Sequence, residues 1–188
     1  SLHDALPIFI KILADRGVET EEDIREFLAA DLSKVSDGSE LTDMEKGVSI
    51  IQDAIAAGKH IRIIGDYDVD GVTSTYILYK GLIGLHAKCD KFIPHRIKDG
   101  YGLHENAIRR AREDGVEVIL TCDNGIAAAD AVSLAKEFGM TVVVTDHHEV
   151  PFVQEPDGRR YILPAADAVI DPKRPEDHVF KEICGAVV

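Results

Sequence analysis

Asp66, Asp68 and Asp70 alternate in the run Gly65-Asp66-Tyr67-Asp68-Val69-Asp70-Gly71. In an extended segment that alternation turns all three carboxylates to one side. Three such groups repel one another strongly unless a cation lies among them. Two further runs carry the same chemistry: Thr121-Cys122-Asp123-Asn124-Gly125 and Thr145-Asp146-His147-His148. Oxygen ligands joined by one or two imidazoles suit Mn²⁺ or Mg²⁺ better than a thiolate-bound zinc. The candidate chemistry is therefore that of a hard divalent cation.

Blander readings of these runs fare worse. DYDVDG matches the opening of a calcium-binding loop, but the twelfth position is Ile77, where a bidentate Glu is required, and a strand precedes it. Asn124-Gly125 could turn a hairpin, yet the following AAADAVSLAKEF has a helical period. One Asp at a strand end is often only a helix cap. Three such segments, one with adjacent histidines, are poorly explained as coincident caps. Cys122 lacks a base partner and reads as a packed thiol. No nucleophile elbow, Walker A loop or dinucleotide fingerprint is present. Arg109, Arg110 and Arg112 share one expected helix and read as a solvated face. Arg96 and Lys98, in the loop after a strand, are better placed to meet an anionic substrate, and Tyr101 joins them as a candidate contact.

The elements that must hold these residues follow from periodicity. Ile61–Ile64, Val116–Thr121 and Met140–Thr145 are short, β-branched strand candidates, each followed directly by one of the three acidic runs. Ala87–Ile93 and Ala168–Ile170 read as two more strands. Helices are expected over Gly71–Leu85, His104–Asp114 and Ile126–Phe138. Strands alternating with helices imply βαβ units: an α/β fold, a parallel sheet with helices on both faces. Such sheets bind ligands outside the carboxyl ends of their strands, where all three runs lie. A short helical N-terminal segment is expected to precede the sheet. Ile8–Ala14 is a short apolar turn or two, Thr20 caps a helix through about Ala29, and Ser33–Leu41 is loop-like. Thr42 and Glu45 form a capping box opening a third helix, with Val48, Ile51, Ala54 and Ile55 on its apolar face and Gly58 at its end. The division expected is residues 1–58 as the helical segment and 59–188 as the parallel-sheet domain.

The chain has 188 residues, 45% hydrophobic and 29% charged, which excludes a disordered polymer. No window approaches the ~18 apolar residues of a spanning helix, so no membrane association is expected. Cys89, Cys122 and Cys184 are unpaired by spacing and read as reduced thiols of a cytoplasmic protein. A net charge of −13 opposes nucleic acid unless unevenly spread, and bound cations would relieve it. With no initiator Met and an apolar ending, ICGAVV, the sequence is expected to be a piece of something longer.

DYDVDGVTS, TCDNGI and VVTDHHEVP resemble the first three motifs of the DHH phosphoesterases. Within that superfamily the chain is most similar to the RecJ-type single-strand-specific DNA exonucleases, through LTDMEKGVSIIQDAI, IPHRIKDGYGLHENAI and DPKRP…FKEICGA. The resemblance spans nearly the whole chain. It implies a two-metal phosphodiesterase using Mn²⁺ or Mg²⁺, with single-stranded DNA as substrate. It implies that Asp68 is a ligand of one metal and Asp70 of the other. Asp123 is then the bridging carboxylate, His147 a ligand beside Asp70, and Asp66 a ligand of the first metal directly or through water. His148 faces the scissile phosphate, and Asp146 orients its neighbours.

Two departures from the pattern stand out: a fourth-motif Asp and the family's later domains are absent, and CGAVV lacks a glycine of the family's CGAGV. The domain is thus expected to be incomplete at its C-terminus. Missing domains of its own chain, a single-strand-binding protein and a helicase are candidate partners. The rival functions are a DHH phosphodiesterase of short oligonucleotides or cyclic dinucleotides, and an inactive DHH scaffold module. A pyrophosphatase of the superfamily would carry His four residues before Asp68, where this chain has Ile64.

Overall fold

The computed structural model describes residues 2–29, 38–95, 102–177 and 183–188. They fall into two compact units, Ser1–Asp37 and Gly38–Val188. The first unit holds α1 (Leu2–Ala14) and α2 (Glu21–Ala29). The expected cap of α2 is present as a reciprocal pair: Thr20 Oγ1 accepts from Asp23 N, and Asp23 Oδ2 accepts from Thr20 N, both at 3.1 Å. Helix α1 is longer than the expected turn or two. Of the expected loop Ser33–Leu41, residues 33–37 lie outside the described residues, and Gly38–Glu40 forms a turn of 3-10 helix.

The second unit is built on a parallel sheet. Its elements are α3 (Met44–Ala56), β1 (Ile61–Ile64), α4 (Val69–Gly84), β2 (Cys89–Phe92), α5 (Glu105–Glu113), β3 (Val118–Thr121), α6 (Ala129–Glu137), β4 (Thr141–Thr145), β5 (Phe152–Glu155), β6 (Gly158–Tyr161) and β7 (Ala168–Ile170). Strands run β2-β1-β3-β4-β7, all parallel, while β5 and β6 make a separate antiparallel hairpin. The period of two sends alternate side chains to opposite faces. Ile61, Ile63, Val118, Leu120 and Val143 pack with Ala54 of α3 and Leu82 of α4. Ile64, Ile119, Val142 and Val144 pack with Ile108 of α5 and Val132 of α6. Both faces are therefore covered, which is why β3 and β4 read as nearly continuous apolar runs, while Arg62 of β1 pairs with Asp90 and Asp114.

The order reverses at β1: the chain moves outward to β2, then returns to β3 on the other side. A crevice at the carboxyl ends of β1 and β3 follows from that reversal.

Three expectations need correction. Thr42 does not cap α3. Its amide and hydroxyl donate to Asp177 Oδ1 at 3.0 and 2.8 Å, and Asp43 occupies the cap position with φ 64° and no side-chain cap bond. Asp43 Oδ2 instead accepts from Val169 N and Arg174 Nη1, so this corner is tied to the strand β7 region and not closed on itself. Val48 is exposed, and the buried face of α3 is carried by Gly47 and Ala54 with Ile50, Ile51 and Ile55 half-buried beside them. The hairpin β5–β6 has no counterpart among the expected elements. Its Pro156-Asp157-Gly158 sequence is a turn signal lying between two short runs.

Candidate metal centre

Four adjacent strands each end in a buried aspartate. Asp66 follows β1, Asp123 follows β3, Asp146 follows β4 and Asp171 follows β7, and none is more than 1% exposed. Neutral polar termini would satisfy the sheet edge without such a concentration of charge. Among the described residues, both carboxylate oxygens of Asp66 and Asp123, and Oδ2 of Asp171, are buried without a hydrogen-bond partner. Leaving ionised oxygens unpaired is costly, more so than for a neutral group at ~1–3 kcal/mol. The donor set fits a hard divalent cation on that ground.

The expectation that Asp66, Asp68 and Asp70 share an extended segment is incorrect. Helix α4 begins at Val69, two residues before Gly71, and Asp68 is its N-cap, with Oδ1 accepting from Gly71 N at 2.9 Å. Gly71 permits this turn: a Cβ there would stand 2.6 Å from the Asp66 amide nitrogen and carbonyl oxygen. Asp68 nonetheless converges on Asp66, while the first turn of α4 carries Asp70 to His147 instead. One ligand atom from each of Asp66, Asp68 and Asp123 lies within 4.8 Å of the others. A second such set joins Asp123, His147 and His148. Asp70 borders the second set, with Oδ2 3.5 Å from His147 Nε2.

Asp123 is common to both sets. It adopts φ 60°, an uncommon conformation for a residue with a side chain. The neighbouring Asn124 holds the turn by donating Nδ2 to the carbonyls of Ile64 and Cys122 at 3.0 and 2.9 Å. Burial, with Asp70 and Asp68 nearby, pushes the Asp123 carboxyl up to about 7. Burial also raises Asp66. The Tyr67 and Gly102 amides oppose that rise, although neither closes a hydrogen bond of normal geometry to it.

The histidines are held by different partners. His147 Nδ1 donates to Ile183 O at 3.0 Å, which leaves the Nε2 lone pair for a cation in the neutral ring. His148 Nδ1 pairs with Asp146 Oδ1 at 2.7 Å. That bond, with burial opposing it, raises His148 to about 9. Asp146 also accepts from the amides of His147 and His148 through Oδ1 and from Ile126 N through Oδ2. Beside His148 lies a cleft of about 300 Å³ walled by Leu103, Ile126 and Ala127.

Six of the candidate residues, together with His148, are thus brought to one edge. Arg96, Lys98 and Tyr101 lie outside the described residues. Cys122 is buried, and burial pushes its thiol up to about 12. Arg109, Arg110 and Arg112 are exposed on α5.

Sequence reasoning missed two features. Asp171 obeys the same strand-end rule as the others, and burial raises its carboxyl to about 7. The amides of Gly185 and Ala186 donate to Asp70 Oδ2 and Oδ1 at 2.7 and 2.8 Å. Backbone donors leave no side-chain signature to read.

Comparison with known proteins agrees with this architecture. The single-stranded-DNA-specific exonuclease RecJ of Bacillus subtilis is 40% identical over 183 residues, covering 97% of this chain and 22% of the relative. The Escherichia coli protein of the same name is 34% identical over 167 residues, covering 88% and 27%. The chain thus spans about a quarter of the length of these curated relatives. A solved exonuclease RecJ bound to manganese superposes with a TM-score of 0.67 at 33% identity, covering 79% of this chain and 35% of that one. RecJ from Thermus thermophilus in complex with Mn²⁺ gives 0.59 at 31% identity, covering 79% and 19%. Among the described residues no helix is long and apolar enough to cross a membrane. Residues 60–188 match the DHH family, N-terminal domain, and the chain belongs to that family.

Proposed function

We propose that this chain supplies the DHH domain of a cytoplasmic 5′→3′ exonuclease that hydrolyses single-stranded DNA to mononucleotides in DNA repair and recombination, using Mn²⁺ or Mg²⁺. The observation that carries the reading is the sharing of Asp123 between two convergent ligand sets. The RecJ relatives, named for single-stranded DNA and solved with manganese, support it. A single-strand-binding protein, a helicase and further domains of the same polypeptide are its proposed partners.

In this reading Asp66, Asp68 and Asp123 hold one cation, and Asp123, Asp70 and His147 hold the other. Bound there, the pair supplies Lewis acidity toward the phosphate and lowers the pKa of an attacking water. Asp70 is kept in place by the Gly185 and Ala186 amides, and His147 by the Ile183 carbonyl. His148, anchored through Nδ1 to Asp146, turns Nε2 to the scissile phosphate and donates to a phosphate oxygen or to the leaving group. Asp146 contributes no ligand and fixes the orientation of the two histidines. The domain proposed for this chemistry covers 59–188, with Arg96, Lys98 and Tyr101 as substrate contacts.

The test is release of mononucleotides from 5′-labelled single-stranded DNA by the full-length protein. Release that needs Mn²⁺ or Mg²⁺ and spares duplex DNA is expected. Metal-independent release, or equal action on duplex, would contradict the reading.

A further inference from the structure

The hairpin β5–β6 follows His148 by four residues and lies outside the parallel sheet. Four extended residues reach at most ~14 Å, so its base stands close to the metal centre. It is rooted by Val150, which is buried in the core among residues that include Val144 and Leu163, and by Ile162 N donating to Pro151 O at 2.7 Å.

The register sorts the hairpin's side chains into two unlike faces. Phe152 pairs with Tyr161 and Gln154 with Arg159, which puts these four on one face. Val153 pairs with Arg160 on the other, where Glu155 accepts from Arg160 Nε at 2.6 Å. The first face therefore carries two aromatics, a guanidinium and an amide, and no carboxylate. Its rings stand 6.0 Å apart, with the Arg159 guanidinium 4.3 Å from the Phe152 ring centre. Phe152 and Tyr161 are 44% and 37% exposed, so this aromatic surface faces solvent and not the core.

A cationic aromatic face is out of character for a chain of net charge −13. Acidic or apolar partners would not need the combination of ring faces with a stacked guanidinium. Single-stranded nucleic acid does, since bases stack on aromatic and guanidinium planes while phosphates meet the cation.

We infer that the Phe152–Arg159–Tyr161 face of the hairpin is a stacking platform for the single strand a few nucleotides away from the scissile bond. The inference rests on the proposed single-strand exonuclease reading and adds a binding element outside the metal centre. The platform acts on strand affinity and leaves the chemical step to the sheet edge.

The test uses the full-length protein, with Phe152→Ala/Tyr161→Ala and, separately, Arg159→Glu, all at exposed positions. Binding of a fluorescent long oligonucleotide is measured with metal chelated, and hydrolysis of the long strand is compared with that of a dinucleotide too short to reach the hairpin. Each variant should lose at least about fivefold in strand affinity, the scale of losing one stacked base, and raise KM similarly. The kcat on the strand and the rate on the dinucleotide should match wild type. Unchanged strand affinity in both variants, with cleavage intact, would overturn this inference alone. A wild-type protein that neither binds nor cleaves single strands would overturn it together with the exonuclease reading.

Discussion

His147 Nε2 stands 2.9 Å from Asp123 Oδ1, yet Asp123 Oδ1 accepts no hydrogen bond from the described residues. The two atoms approach without the alignment of a donor and an acceptor. The same ring is fixed on its far side by the Ile183 carbonyl, and Asp123 is fixed by its left-handed turn. Two rigidly supported groups facing one point is the geometry expected of ligands to one ion.

Removing either acidic residue beside His147, Asp123 or Asp70, should abolish turnover and leave the fold. Asp123→Ala and Asp70→Ala are each expected to cost at least ~10³-fold in rate with Mn²⁺ supplied, since metal stabilisation of the transition state is worth several kcal/mol. Circular dichroism checks the fold, and single-turnover assays check the rate. Wild-type rates in either variant would reject the assignment.

The two histidines should separate in the same assays. His147→Ala is expected to weaken Mn²⁺ binding by at least about tenfold in calorimetry. His148→Ala should leave Mn²⁺ affinity nearly unchanged while lowering turnover by about 10²-fold or more. Equal losses of metal in both would contradict the division of roles.

Gly185 should prove intolerant of a side chain. A Cβ there would lie 2.7 Å from Asp123 Oδ1, in a backbone stretch whose amides hold Asp70. Gly185→Ala is expected to weaken Mn²⁺ binding by about 10-fold or more, in the range found when groups supporting metal ligands are changed. Calorimetry on the intact protein decides it, and unchanged affinity would show that the Gly185 segment does not hold the site.

Metal-free protein should lose stability as pH rises, and Asp171 should account for part of it. Its carboxyl is raised from 3.8 to about 7 by burial, so the folded state binds the proton more tightly than the unfolded one. The stability this provides is full below about pH 4 and is lost as pH rises through about 7. Each pKa unit corresponds to about 1.4 kcal/mol, which places the change on the order of a few kcal/mol. Asp171→Asn cannot titrate there. Its Tm in chelator should exceed wild type at pH 8, with the difference shrinking or reversing at pH 4. Parallel Tm curves across that range would refute the assignment.

Much of this arrangement is legible in the sequence. The strands carrying the site are readable because their inner residues are apolar toward both covered faces, Arg62 of β1 excepted, whose guanidinium pairs with Asp90 and Asp114. The site is readable because parallel strands deliver their successors to one edge, whatever the loops do. What escapes is tertiary in origin. Thr42 has the composition of a cap, but Asp177, 135 residues away, takes its hydroxyl and amide. Asp68, Val69 and Asp70 look extended in isolation, and only the close approach of Gly71 to Asp66 lets a helix begin among them. Asp171 follows an expected strand, Ala168–Ile170, but that strand is only three residues long and no second carboxylate or imidazole adjoins it to mark a cluster.

The central claim is that Asp123 is shared by two cations at the carboxyl edge of the sheet. Anomalous diffraction from a crystal of the protein soaked in Mn²⁺ tests it directly. The account predicts two peaks, one contacting Asp66, Asp68 and Asp123, the other contacting Asp70, Asp123 and His147. Peaks elsewhere, or a single peak that leaves Asp123 untouched, would contradict it.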